Sequence, residues 1–491
     1  MTDILFTHSY FLRFDPKEHR AMMPYPPLGT LYAAGLARSL GFSVALFDSM
    51  LGESEDEFQA AVLRHHPRIV VIYDDDFNYL TKMCLSRMRT AAFSMAGFAK
   101  AAGCIVVAHG SDSVDHLPEY FGNNVDFVLC GEGERTLAEL LQALLGPGDD
   151  PGTIPGLAYM ADGVLKRTAP RTVLRELDAL PLPARDLVDF ERYRKLWTRH
   201  HGYFSVNIVT TRGCPYHCSW CAKPLYGQVY NSRSPRNVVE EMALLKKTYS
   251  PDHLWFCDDI FGLKPGWIAE FSELVVAHDA MIPFKCLARV DLLLKGDTVD
   301  HLRKAGCRSV WVGAESGSQK ILDAMEKGTT VEQIYAASKR LKRAGIQVGF
   351  FLQYGFPGES REDIALTWKM LKECKPDEIG ISVSYPLPGT KFYNDVREQL
   401  GVKHNWEDSQ DLALLFQGTY VPDFYRALHR VTHKKFRLWQ GLDILRDAAI
   451  HPWHLTPWRF RRLAATAYHW ATLPRSEARL NALAKHRLST D

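Results

Sequence analysis

Thr211-Arg-Gly-Cys-Pro-Tyr-His-Cys-Ser-Trp-Cys221 gathers three cysteines, Cys214, Cys218 and Cys221, into one short stretch. Their intervals of four and three residues let three thiolates converge on one centre from a single loop. The residues just before it, 204–211, read as a strand, so the loop leaves a strand's carboxyl end, where α/β proteins assemble their chemistry. Three unrelated buried thiols are the bland alternative. A zinc site with His217 as fourth ligand is another, but closed zinc sites draw on two separated ligand pairs, and no second Cys/His pair at matching spacing follows. A four-iron cluster on three thiolates keeps one iron open for a ligand, and this reading is favoured.

Working outward, the chain alternates strand and helix patterns on both sides of the loop. Candidate strands at 4–7, 43–47, 69–73, 104–108 and 125–129, separated by amphipathic stretches such as 31–40, 55–65 and 137–145, predict an open, doubly wound parallel sheet, Rossmann-like, over residues 1–150. The turn-rich Gly146–Gly152 closes it, and residues 151–200, with strand-like GLAYMA and VLKRTA and the Pro-rich 180–184, read as a linker. Strands expected at 204–211, 253–257, 284–288, 309–313, 347–352 and 378–384 predict a partial (β/α)6 barrel over 201–415. Residues 416–491 read as a helical cap.

Length and composition bound this picture. A chain of 491 residues implies several domains, and 46% apolar with 24% charged residues excludes a disordered or collagen-like chain. The net charge of +2 names no partner. No run approaches a membrane span, and the N-terminal stretch, with Asp3 and Arg13, does not read as a secretory signal. Ten cysteines are too sparse for a disulfide scaffold, and Cys257, Cys286 and Cys307 fall on or beside apolar strands as packing residues.

Further motifs follow the cysteine loop in order: Leu254-Trp-Phe-Cys-Asp-Asp-Ile-Phe261, Cys286-Leu-Ala-Arg-Val-Asp291, Val312-Gly-Ala-Glu-Ser-Gly-Ser318, Met325-Glu-Lys-Gly-Thr329 and Gly355-Phe-Pro-Gly-Glu-Ser360. With Trp220 just before the last cysteine, this series resembles the radical S-adenosylmethionine (SAM) superfamily over most of residues 204–390. The resemblance implies a [4Fe-4S] cluster on Cys214, Cys218 and Cys221, and SAM as its ligand. It implies that Asp258 or Asp259 meets the SAM ammonium, Arg289 the carboxylate, and Glu315 the ribose or amine, while Gly355 and Gly358 let backbone approach the adenosyl group. The bland alternative is that Asp258 and Asp259 cap the next segment and Glu315 pairs with a nearby lysine.

In front of such a domain, a doubly wound unit resembles a cobalamin-binding domain. Residues Pro26–Leu36 are similar to that family's first loop and helix, and Asp126–Leu137 to its last strand and turn. On this reading Pro27 and Gly29 open a helix whose free N–H groups face a corrinoid or its phosphate tail, and Gly131 and Gly133 let backbone lie flat on a planar ligand. Ordinary helix capping is the plain alternative. The Asp-x-His-x-x-Gly motif is absent, and His8, His109 and His116 lack its context. Asp74-Asp-Asp-Phe77 reads as a solvated helix start or a water-holding run near cobalt.

The resemblance thus implies a cobalamin-dependent enzyme that generates a 5′-deoxyadenosyl radical and methylates an unactivated carbon of a small-molecule or lipid-like substrate. Its alternatives are an oxidative cyclase or rearrangement enzyme, like the anaerobic magnesium-protoporphyrin monomethyl ester cyclase, and a non-catalytic corrinoid or redox sensor. It also implies an electron donor such as flavodoxin or ferredoxin. Residues 423–491 hold thirteen Lys/Arg against five Asp/Glu and four of the eleven tryptophans. In 451–462 aromatics interleave with cations, which suits a membrane surface or an anionic, lipid-like substrate, with a solvated cap as the plain reading. No nucleic acid is expected as partner. The expected location is the cytoplasm, with contact to the inner membrane surface as its finer form.

Overall fold

Ile69-Val-Val-Ile-Tyr73 has no polar residue on either face, the pattern of a strand covered on both sides. In the computed structural model, which describes residues 2–146, 148, 150–223, 225–451, 453 and 457–485 (side chains of Pro457 and Trp458 excepted), it is the third strand of a seven-stranded sheet. The strands are β1 (Ile4–Thr7), β2 (Val44–Leu46), β3 (Ile69–Tyr73), β4 (Ile105–His109), β5 (Phe127–Leu129), β6 (Leu157–Ala161) and β7 (Val164–Arg167). Their spatial order is 2-1-3-4-5-6-7, parallel through β5. Leu5, Val70, Ile72 and Val106 pack under one face, and Ile4, Phe6, Ile69 and Val71 under the other.

The sequence reading of 151–200 as a linker is corrected here. β6 and β7 form a hairpin that pairs antiparallel with β5 and extends the sheet, so the connector begins only after Arg167. The GLAYMA and VLKRTA segments alternate around Asp162-Gly163, both at positive φ, which turns the chain back on the same edge.

The second sheet contains β8 (Ser205–Ile208), β11 (His253–Phe256), β12 (Phe284–Ala288), β13 (Cys307–Glu315), β14 (Gln347–Tyr354) and β15 (Glu378–Val383), all parallel and in sequential order. This is the expected six-stranded partial barrel. The small pair β9 (Thr211–Arg212) and β10 (Asn231–Ser232) brackets the cysteine loop. Helices Pro422–Ile450 and Pro457–Leu483 follow, as expected after residue 415, and pack against one another. Among the described residues no helix is long and apolar enough to cross a membrane. Residues 147, 149, 452 and 454–456, and hence parts of the two turn-rich stretches singled out above, lie outside the described residues.

The two sheets meet through buried polar contacts. Trp197 Nε1 donates to Pro24 O at 2.7 Å, and Asn207 Nδ2 to Pro26 O at 2.8 Å. Glu241, on the helix Pro235–Tyr249, takes Arg185 of the connector at 2.9 Å and Arg233 at 2.5 Å, and Arg233 also reaches Tyr32 of the N-terminal unit. Burial opposes the Glu241 charge, but the two guanidiniums prevail and hold its carboxyl below the ordinary value of 4.5. Glu241→Ala strands two buried cations, so chemical denaturation should show a loss of about 3–5 kcal/mol at pH 7. Because the folded carboxyl is depressed, that contribution is complete above about pH 4.5 and fades as pH falls below it, so the wild-type and variant curves should converge in acid.

Candidate active site

The cysteine loop is held at both ends and in the middle. Asp258 follows β11 and is buried; its Oδ1 accepts from Thr210 N at 2.7 Å, Thr211 N at 2.5 Å, Thr211 Oγ1 at 2.8 Å and Thr210 Oγ1 at 3.1 Å. Burial outweighs these bonds and pushes its carboxyl up to about 6. Gly213 sits at φ +77°, and a Cβ there would come within 2.3 Å of Val229 O, so only glycine lets the chain turn into the loop. Ser219 N and Oγ donate to Met325 O at 3.0 and 3.1 Å, and Phe392 N donates to Ser219 O at 2.9 Å.

Cys214 is buried, Cys218 and Cys221 are half-buried, and all three are free thiols. Burial raises Cys214 and lifts Cys221 to about 12, and the neighbouring cysteines add to both shifts. Three soft donors that oppose one another's ionisation suit a multiply charged iron centre, which reverses that repulsion. His217 is exposed to solvent and does not join them. Among the described residues no three His, Cys, Asp or Glu side chains are gathered at single-ion ligand distance.

Around the loop stand three charged pairs. Arg289 stacks on Tyr216 of the loop, its guanidinium carbon 3.6 Å from the ring centre, and also binds Asp291 at 3.0 Å and Lys327 O at 3.1 Å. Glu315 ends β13 at a register shift and holds φ +55°, a conformation that non-glycine residues adopt where the surroundings enforce it. Its Oε1 accepts from Lys327 Nζ at 2.8 Å, so the expected ribose acceptor is paired with a lysine here. Lys327 escaped the sequence reading, although it lies in the quoted Met325–Thr329 motif; against its burial, Glu315 and then Cys218 favour its charged form. Asp259, 41% exposed, accepts from Lys82 Nζ at 2.9 Å. Of the two expected ammonium acceptors, Asp258 has one oxygen committed to the loop and the other, Oδ2, buried without a partner, whereas Asp259 opens to solvent. Gly355, at φ +80°, donates to Glu359 at 2.7 Å; the side where its Cβ would stand is filled by Tyr425 and Leu414.

The N-terminal residues chosen from sequence are engaged differently from expectation. Pro27 does start the helix Leu28–Ser39, but the Gly29 N–H donates to Asp75 Oδ1 at 2.8 Å, so a protein carboxylate caps the end expected to face a corrinoid. Asp74, Asp75 and Asp76 are all buried, not a solvated helix start. Gly133 packs on His109 and Tyr73, whose rings stack at 4.0 Å, so protein rings fill the space expected for a planar ligand. Gly131 O accepts from His109 Nε2 at 2.9 Å. That bond leaves Nδ1 as the bare nitrogen, and burial holds the imidazole neutral, down to about 4.

The turn between these glycines has another partner. Arg212, two residues before Cys214, is buried with its guanidinium forked between Glu132 and Glu134, each at 2.5 Å, inside a cage of Tyr226, Phe77 and Tyr32 rings. Three buried atoms beside it, Tyr73 OH, His109 Nδ1 and Glu134 Oε2, make no hydrogen bond, although Asp76 Oδ1 lies 3.7 Å from His109 Nδ1. This carboxyl edge lies beside the switch between β1 and β3, where doubly wound sheets bind cofactors, and those open polar atoms fit a polar ligand better than the glycines do.

Below the loop, alternate residues of the barrel strands are half-exposed while their neighbours are buried under the helices: Trp255, Lys285, Leu287, Trp311 and Phe351 share this inner face. Trp311 and Phe351 lie 4.7 Å apart, and Lys285 sits 4.7 Å over Trp255. A Cβ on Gly349 would come within 2.3 Å of Trp311, so that glycine makes room for the ring. The inner face is thus aromatic and partly exposed.

Residues 208–371 match the Radical SAM superfamily. An uncharacterised methyltransferase of Pyrococcus horikoshii is 29% identical over 388 residues, covering 78% of this chain and 81% of that protein. The anaerobic magnesium-protoporphyrin IX monomethyl ester cyclase of Rubrivivax gelatinosus is 26% identical over 393 residues, covering 77% and 67%. The cobalamin-dependent SAM radical enzyme OxsB, solved with aqua-cobalamin, superposes with a TM-score of 0.72 at 16% identity over 98% of this chain and 72% of that one, which establishes the shared fold of both units.

Arg212→Gln leaves Glu132 and Glu134 buried without their cation. Chemical denaturation of the metal-free protein should show a loss of about 3–5 kcal/mol, and Arg212→Lys should recover only part, because a lysine does not fork between two carboxylates.

Proposed function

We propose, from the match of residues 208–371 to the Radical SAM superfamily, that this chain is an enzyme that methylates an unactivated carbon of an apolar, ring-bearing substrate with cobalamin as methyl carrier. The reading is carried by one arrangement: a three-cysteine loop at the carboxyl ends of a half-barrel is locked, through Arg212, onto the carboxyl edge of a doubly wound sheet. A radical SAM domain uses a [4Fe-4S] cluster and SAM, which together supply reductive cleavage of a sulfonium and hence hydrogen abstraction from carbon.

Cys214, Cys218 and Cys221 would hold the cluster. Asp259 would take the SAM ammonium, because it alone of the acid pair faces solvent. Arg289, stacked on the loop, would orient the carboxylate, and Glu315 with Lys327 would line the same rim. The inner face bearing Trp255, Trp311 and Phe351 offers flat apolar contact, while Lys285, lowered to about 8 by burial, adds one weak cation. Cobalamin is assigned to the edge bearing Tyr73, His109 and Glu134. Similarity to a methyltransferase and to a magnesium-protoporphyrin IX monomethyl ester cyclase supports methyl transfer and a ring-bearing substrate.

We place the enzyme in the cytoplasm with a reducing one-electron donor of flavodoxin or ferredoxin type. The exposed Ile450, Trp453, Phe460, Tyr468 and Trp470, on a segment rich in arginine, support a peripheral membrane contact through the C-terminal helices.

Anaerobic reconstitution followed by optical spectra and product mass analysis tests this reading. Methylated product with consumption of methylcobalamin is expected. 5′-Deoxyadenosine without methyl loss would favour the cyclase-type reaction. A competent preparation that never cleaves SAM would favour a sensor. Cys218→Ala should lose the cluster's near-ultraviolet and visible absorbance and all 5′-deoxyadenosine formation; retention of both would sink the proposal.

A further inference from the structure

Lys82 lies in a one-turn helix, Thr81–Met83, after β3, a place where no sequence motif points to function. The turn is fixed on both sides. Thr81 Oγ1 donates to Asp75 O at 2.7 Å, and Tyr385 OH donates to Met83 O at 3.0 Å. From this base the Lys82 side chain crosses from the N-terminal unit to the barrel and places its Nζ 2.9 Å from Asp259 Oδ1. Burial opposes this ammonium, but Asp259 and, more weakly, Cys221 and Asp76 on the sheet side favour its charged form. It therefore stands beside the cysteine loop, on a carboxylate that faces the site.

A lysine ammonium and the α-ammonium of an amino acid have the same charge and the same three donors. A half-exposed aspartate oxygen that binds one is built to bind the other. Asp258 is the poorer acceptor, because its Oδ1 already takes four donors from Thr210 and Thr211 and its free Oδ2 is buried away from solvent.

We propose that Lys82 Nζ is an internal stand-in for the SAM ammonium on Asp259, displaced when SAM binds. The inference rests on the assignment of Asp259 to that ammonium. Displacement moves only the flexible lysine stem, since the turn's backbone is held by Asp75 and Tyr385. The freed charge remains between the two units, within range of Asp76, so SAM binding is felt at the edge of the N-terminal sheet. Lys82 is thus a positioning residue: it keeps Asp259 oriented and charge-matched until the cosubstrate arrives, and it opposes that arrival.

The test uses the full-length protein with its cluster reconstituted, iron and sulfide content measured for every variant, and SAM binding followed by equilibrium dialysis. Lys82→Met removes the competitor and should tighten SAM binding about three- to tenfold. Lys82→Arg keeps a cation and should stay within about twofold of wild type. Lys82→Gln serves as a second neutral variant should the methionine variant lose its cluster. Asp259→Asn should weaken binding. Unchanged or weaker SAM binding in both neutral variants, with Asp259→Asn still weakened, would overturn the displacement. Unchanged binding in Asp259→Asn would instead remove the assignment of Asp259, and the displacement with it.

Discussion

A guanidinium buried away from water is stable only while its charge is matched at close range, and Arg212 meets that condition with two carboxylates from a different sheet. This constraint organises the molecule. Arg212 belongs to the strand that leads into the cysteine loop, while Glu132 and Glu134 belong to the turn after β5. The loop cannot move away from the N-terminal edge without exposing three mismatched buried charges. The aromatic cage of Tyr32, Phe77 and Tyr226, drawn from both units, excludes the water that would soften that penalty.

With the loop fixed there, the remaining contacts divide the labour. Asp258 holds the loop's entry, Ser219 ties its middle to Met325 and Phe392, and Arg289 covers Tyr216. Around the loop stand Asp259, open to solvent, and the largely buried Arg289, Glu315 and Lys327, an arrangement of alternating charges that suits a zwitterionic amino-acid moiety. Under them Gly349 and Gly380, on the strands beside Trp311 and Phe351, leave room for those large rings on the barrel's inner face. Polar recognition at the rim and apolar contact below it are what hydrogen abstraction from an unreactive carbon requires: a fixed cosubstrate and a dry, shaped space for the target.

The N-terminal edge carries a different lesson. Its glycines and its helix start resemble ligand-binding features, but their partners are Asp75, His109 and Tyr73. The acids of the Asp74–Asp76 run are buried by the loop that crosses them, and Asp76 is pushed far above the usual carboxylate range, by burial first and then by Glu134 and Asp75. A neutral His109 adds no further charge to this edge. Of the unpartnered atoms that remain, Glu134 Oε2 lies within the Asp126–Leu137 segment, whereas Tyr73 OH and His109 Nδ1 end strands outside any quoted motif.

Much was legible in the sequence because it depends on local pattern. Period-two alternation, uninterrupted apolar runs and turn residues marked both sheets, and the cysteine spacing marked the centre, since three donors within one loop must meet wherever that loop goes. What the tertiary structure alone decided were contacts between residues far apart in the chain: Arg212 with Glu132 and Glu134, Lys82 with Asp259, and Lys327 with Glu315. The hairpin that adds to β5 was likewise readable as two strands but not as an edge of that sheet. A charge declares its type in the sequence, whereas its partner is chosen by which surfaces fold against each other and by the need to match every charge taken out of water.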